Sequence, residues 1–297
     1  MCKGYKGTDK GLSVPFGIIN LTYAAWVRRN QTGGFMETYN NQQLMQEFLQ
    51  RISWEQEADS EGYQTSLQGL NRQTGLLQPG RCYLFVGPSA SLNRAFLATL
   101  AHDLCWTQQL TTRWICCKQL AANIIPLLVS CESGVAPQLL SVAENRDKVQ
   151  KVAEAFQNAP LDIWETNTST FLDDEVHHLW DTAGKQLFIA EDLNLMQTRW
   201  YSNLGFLSEY ARVFQSVVLV SAVVSFSHYT PLNVIGKLRW LGEADPYFDC
   251  ISSLTAKERI GETTITLQNV KNRRLPCSTA EFTYTMGEMN FKDKENQ

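Results

Sequence analysis

The chain has 297 residues, of which 44% are hydrophobic and 19% charged, and a formal net charge of -4. A chain of this length and composition buries a large core, which excludes disorder and sets the expectation at one large α/β domain with a short appendage. The acidic balance excludes a surface that is basic throughout, as a small DNA-binding domain would have, and leaves room only for a local basic patch.

Lys3, Lys6 and Lys10 precede a mixed stretch from Val14 to Val27 that contains Pro15, Asn20 and Thr22. It is too short and too polar to cross a bilayer. Arg28 and Arg29 follow where a small-residue cleavage site would stand, so neither export nor membrane insertion is expected. Residues 1–40 are expected to form an arm separate from the core. From Gln42 to Ala58, the apolar residues Leu44, Met45, Phe48, Leu49 and Ile52 recur at three- and four-residue steps. That spacing predicts a linker-like helix within 41–61, with Asn41 at its start.

The turn-rich stretch Gly62–Gly80 leads into Cys82–Val86, a continuous apolar run bounded by glycines that suits a strand buried on both faces. A helical pattern follows from about Leu92 to Leu104. Further strand candidates are Trp114–Cys117, Leu161–Trp164, Leu187–Ala190, Val217–Val220 and Ile265–Leu267. Helical segments lie between most of them, which predicts a mainly parallel sheet flanked by helices, with ligands at the carboxyl ends of its strands. Residues 292–297 are polar and expected to fray. The eight cysteines, including adjacent Cys116 and Cys117, show no zinc spacing and are expected as buried reduced thiols in a cytoplasmic protein.

Several segments, in order, resemble the motor domain of DnaB-type replicative helicases. Gly62–Gly80 looks like the entry segment of that motor, and Gly87-Pro88-Ser89 stands where the family has its phosphate loop. Ala159-Pro160-Leu161-Asp162-Ile163 with Thr166 is similar to a later strand. Leu187–Met196 resembles the Walker B segment, and Val270-Lys271-Asn272-Arg273 with Phe282 resembles the closing hairpin. The resemblance implies a RecA-like domain over 62–291, without the family's N-terminal helical domain.

A working phosphate loop reads G-x-x-x-x-G-K-[ST]: glycines let backbone N–H groups close on phosphate, a lysine meets the β/γ charge, and a hydroxyl holds Mg²⁺. The corresponding run here is Gly87-Pro88-Ser89-Ala90-Ser91-Leu92-Asn93-Arg94. Leu92 replaces the second glycine, Asn93 the lysine and Arg94 the hydroxyl. A plain strand-to-helix turn is the bland alternative for the whole run. A guanidinium pairs well with phosphate but cannot ligate Mg²⁺. After the second strand, Lys118-Gln119 stand where the family has a catalytic glutamate, and Glu132 lies too far along the chain to replace it. Glu191 and Asp192 end a strand where a Walker B carboxylate would hold the metal, or they simply cap and solvate that end. After the strand Val217–Val220 the family has a glutamine that senses the γ-phosphate; this chain has Ser221-Ala222-Val223-Val224-Ser225 instead, so that sensor is expected to be absent.

Lys271 and Arg273 match a Lys-x-Arg pair that in the family's hexamers reaches a neighbour's nucleotide. They are expected here as a relic or solvated basic turn, as a trans-acting pair, or as a contact to a phosphate backbone or an acidic protein. Trp200 and Tyr201, near Arg199 and Arg212, offer weak support for stacking single-stranded DNA. His177, His178 and His228 have no metal-binding company in the sequence. The degenerate nucleotide site is therefore expected at Gly87, Ser89, Ser91, Asn93, Arg94, Glu191 and Asp192, with no catalytic residue and no metal. The resulting expectation is a non-catalytic interaction or scaffold module without a cofactor, bound to a protein partner or to itself, in the setting of DNA replication. The alternative is a divergent ATPase or helicase that uses ATP or ADP with Mg²⁺ through an unorthodox loop.

Overall fold

The computed structural model describes residues 62–117, 120–166, 186–192, 200–224, 245–259, 262–285 and 290–294, together with Gln42, Met45, Gln46 and Leu49. The chain divides into two units, Met1–Arg51 and Ile52–Gln297. In the first, the four described residues are helical, and Met45 and Leu49, one turn apart, are 56% and 57% exposed. The boundary between the units falls inside the segment 41–61 expected as a linker. The arm 1–40 lies outside the described residues.

The second unit is built on a nine-stranded sheet in the order β3-β2-β4-β5-β1-β6-β7-β8-β9. The strands are β1 (Cys82–Gly87), β2 (Thr111–Cys117), β3 (Leu161–Thr166), β4 (Gln186–Glu191), β5 (Val217–Val223), β6 (Cys250–Arg259), β7 (Glu262–Asn272), β8 (Thr279–Thr285) and β9 (Asn290–Asp293). Every pairing from β3 across to β6 is parallel, and the pairings of β6 through β9 are antiparallel. Strands β1 and β4 are buried along their full lengths, as continuous apolar runs in a sheet covered on both faces must be.

The described helices are α1 (Gln68–Thr74), α2 (Ala90–Ala101), α3 (Ile125–Ser133), α4 (Arg146–Phe156) and α5 (Trp200–Phe214). The sheet alternates its side chains between two layers. Tyr83, Phe85, Trp114, Cys116, Leu187, Ile189 and Leu219 share one core with Ala95, Phe96 and Leu100 of α2. On the other face Phe188 of β4 meets Tyr210 of α5 with ring centroids 5.1 Å apart. The helix expected from Leu92 starts earlier, because the Ser89 hydroxyl accepts the Leu92 N–H (3.3 Å) and caps it. At its far end it passes into a π-helical turn, His102–Thr107.

Two segments differ from the sequence expectation. Strand β6 and most of β7 had no apolar run to mark them, because only Cys250–Leu254 of β6 is buried and Ala256–Glu258 stand exposed. The segment from residue 292, expected to fray, is ordered at its start. Asp293 closes β9 and its carboxylate accepts the Gln68 and Gly69 N–H groups (2.6 and 2.7 Å). It thereby satisfies the helix start that Leu67, with no side-chain cap of its own, leaves open. Helix α1 lies so close to β8 that a Cβ on Gly69 would stand 2.8 Å from the Ala280 Cβ. Cys82, Cys105, Cys116 and Cys250 are buried and in no disulfide, as expected, whereas Cys277 is exposed.

Candidate functional site

The carboxyl ends of β1, β4 and β5 meet the start of α2. Between Gly87, the last residue of β1, and Ala90, the first of α2, only Pro88 and Ser89 intervene. Leu92, Asn93 and Arg94, expected from the resemblance at the motif's second glycine, lysine and hydroxyl, are already helical. Backbone donors that a phosphate loop turns toward its ligand are engaged locally: Leu92 N–H by the Ser89 hydroxyl, and Asn93 N–H by the Ser89 carbonyl (3.2 Å). Ser89 and Ser91 hydroxyls lie 3.2 Å apart.

Asn93 fills the space beneath this turn. It is 1% exposed, and its Nδ2 donates to the Ala222 carbonyl at the end of β5 (2.8 Å). A Cβ on Gly87 would overlap Asn93 Oδ1. The close packing of Asn93 thus leaves no room for a side chain at Gly87 unless the asparagine moves. Asn93 Oδ1 itself has no hydrogen-bond partner.

Arg94 extends from α2 to β4, and its Nε donates to Glu191 Oε1 in a close ion pair. The carboxylate is buried and the guanidinium partly so: the Glu191 side chain is 2% and the Arg94 side chain 14% exposed. Burial raises the Glu191 carboxyl above its ordinary value, against the lowering pull of Arg94's charge and hydrogen bond and of the nearby Trp114 indole, while Asp192 adds a small upward push. Trp114 approaches without closing a full hydrogen bond, since both its Nε1 and Glu191 Oε2 lack a partner. Asp192 turns the chain out of β4 with φ of 53°, and its N–H is held by the Ser221 hydroxyl of β5 (3.0 Å). Ser221 therefore ties two strand ends together. The carboxylate expected from the resemblance as a Walker B acid is thus engaged by a guanidinium.

Trp114 and Ser221 were not among the expected site residues. No spacing in the sequence joins Trp114 to Glu191; the parallel register does, setting Cys116 opposite Glu191 and Trp114 opposite Ile189 on the same face.

Lys271 and Arg273 lie at the other end of the sheet. Lys271 pairs with Ile251 near the start of β6, whose neighbour Cys250 is level with Tyr83 at the start of β1. Arg273 is engaged within its own chain: Nη1 lies 3.4 Å from Asp249 Oδ1, and Nη2 donates to the Pro246 carbonyl. Asp249 also meets Arg81 (3.2 Å) and accepts the Cys82 N–H (3.0 Å). Glu132 contacts His102 (2.7 Å). Arg212 lies 3.5 Å from Glu209 on its own helix. Lys118, Gln119, His177, His178, Arg199 and His228 lie outside the described residues, and nothing is described of the Trp200 and Tyr201 side chains.

The strand order, the crossovers and the strand-to-helix turn beside β4 and β5 define a RecA-like α/β fold. It is the fold of the DnaB-type helicase C-terminal domain. One similar structure is that of a DnaB-like replicative helicase, solved with its interactions with primase: TM-score 0.66 at 14% identity, covering 94% of this chain and 72% of the other. A second similar structure is an ATPase domain, which matches with TM-score 0.65 at 14% identity, covering 87% of this chain and 100% of the other. No family model matches the chain, and no curated protein matches its sequence. Among the described residues, no helix is long and apolar enough to cross a membrane.

Proposed function

We propose that this chain is a non-hydrolysing RecA-like module that works by binding protein, with neither nucleotide nor Mg²⁺ as a working cofactor. The observation that carries the reading is the Arg94 to Glu191 ion pair, whose carboxylate is buried. Mg²⁺ at that carboxylate would have to displace a guanidinium anchored on α2, and removing one partner from a buried pair typically costs about 3–5 kcal/mol. A phosphate would meet a helix already capped by Ser89 instead of a ring of open N–H groups. Loss of the lysine and the metal ligand together removes the charge stabilisation on which phosphoryl transfer depends.

A place in DNA replication is supported by the fold shared with a helicase whose structure was described with its interactions with primase. The module then contributes shape and surface to an assembly whose motor is another chain. Arg273, held by Asp249 and the Pro246 carbonyl, serves in this reading to fasten the chain's own turn.

The test is calorimetry and thermal melting of the full chain with MgATP and MgADP. A ligand at a hundred times its dissociation constant would add about 2.7 kcal/mol of stability, and the expected result is no heat and no shift. Mg²⁺-dependent ATP turnover that Glu191→Ala abolishes would overturn the proposal.

A further inference from the structure

Arginine is among the residues least often sealed in a protein interior, because its guanidinium keeps its charge and cannot shed it when buried. Arg113 is sealed nevertheless. It stands in the middle of β2, within a run from Thr112 to Cys116 that is buried throughout, and is itself 5% exposed. Its Nε and Nη1 are both buried and have no hydrogen-bond partner.

The parallel register sets Arg113 beside Phe188 of β4, in the layer that carries α5 and opposite the one that holds Glu191. The Trp164 ring lies over the guanidinium, with its centroid 5.1 Å away; a ring face attracts the charge but leaves the in-plane N–H groups unmet. Tyr210 of α5 stands near as well. Burial pushes its hydroxyl up to about 12, and the Arg113 charge draws it back down. That hydroxyl donates to Gln186 Oε1 (2.9 Å), and the buried Ser216 hydroxyl lies beside it without closing a full hydrogen bond. The acid set against Arg113 in the sheet is Asp162 of β3, which stands exposed and reaches neither Nε nor Nη1. The described surroundings of the charge are thus rings and neutral polar groups.

A buried charge is stable only when it is paired, and buried polar groups without partners mark places where an ion or water belongs. A lysine or a carboxyl escapes this cost by changing its protonation; an arginine does not. We propose that Arg113 is an anion site, which takes a single-atom inorganic anion of the chloride class as the counter-charge of its guanidinium. With 5% of the residue exposed, the opening suits one small ion better than a phosphate or a carboxylate carried by a partner. The ion completes the layer between β2, β3 and α5 and makes the stability of the fold depend on halide. The site is independent of the reading given to Arg94 and Glu191, which lie in the other layer.

Thermal melting of the full chain at constant ionic strength tests this, with sodium gluconate, a bulky anion, replaced stepwise by sodium chloride. A saturable rise is expected, about 3 °C at ten times the dissociation constant, and sodium bromide should reproduce it. Arg113→Met should abolish the halide response. In gluconate it should melt no lower than the wild type, because it removes an unanswered charge and keeps an apolar chain in its place. Asp162→Asn should leave the response intact. A wild-type chain whose melting temperature ignores the exchange overturns the proposal without any variant. So does a rise that persists in Arg113→Met, which marks a general salt effect. A lower melting temperature of Asp162→Asn in gluconate, with no halide response, overturns it too, since that carboxylate is then the partner of Arg113 in solution.

Discussion

At the residue scale, Glu191 is a carboxyl whose folded-state pKa lies above its ordinary value. A group shifted that way favours folding while protonated and loses the advantage as pH climbs through the raised value. Arg94 limits this loss by pairing with the ionised form. Arg94→Met should therefore destabilise the protein by about 3–5 kcal/mol near pH 8, where a bare carboxylate stays buried, and by less near pH 5. Glu191→Gln added to it should restore part of the loss; urea titrations at the two pH values measure both effects. A similar dependence joins Gly87 to Asn93. Gly87→Ala should cost about 1–3 kcal/mol by overpacking, and Asn93→Ala in the same chain should relieve it. Independent, additive costs would show that the glycine is there for another reason. Gly87 and Asn93 were both singled out from the sequence, through the resemblance to a phosphate loop. That the first makes room for the second was not legible there, because the overlap depends on how closely α2 approaches β1.

At the scale of elements, α1 depends on a residue 224 positions away from Gly69. Asp293→Ala leaves two helix-start N–H groups without their acceptor and should cost about 0.5–2 kcal/mol, the range for losing an N-cap; the melting temperature of the variant measures it. The π-helical turn after α2 carries a second test. Burial lowers the His102 pKa, but hydrogen bonds and charge from Asp103 and Glu132 outweigh it and leave it above 6.5. The imidazolium therefore stabilises the fold fully below pH 6.5, and that contribution fades as pH rises through the raised value. His102→Gln should flatten the stability profile across this window, and an unchanged slope would rule the residue out as its source. The apolar runs of β1, β2, β4 and β5 predicted those strands directly. Strand β6 escaped, since a hairpin that runs beyond the core has no reason to keep apolar residues in its outer half.

For the whole molecule, protection should follow burial. Amides of β1, β4 and β5, buried on both faces, should exchange hydrogen only through global unfolding, while those of Ala256–Glu258 exchange early. Comparable rates in both would mean that the hairpin is not an extension of the central sheet but a part of its core.

The sequence by itself determined the parallel α/β architecture, because buried strands must be apolar throughout and the helices between them must alternate. It also carried the resemblance to a phosphate loop and the departures from it at Leu92, Asn93 and Arg94, on which the proposed loss of hydrolysis rests. Only the tertiary structure decided what these side chains and others meet. Arg94 meets Glu191, Asn93 meets the Ala222 carbonyl, and Arg273 meets Asp249, each across a separation in sequence that local pattern does not encode. Such pairings are set by strand register and helix approach, which depend on the packing of the whole sheet.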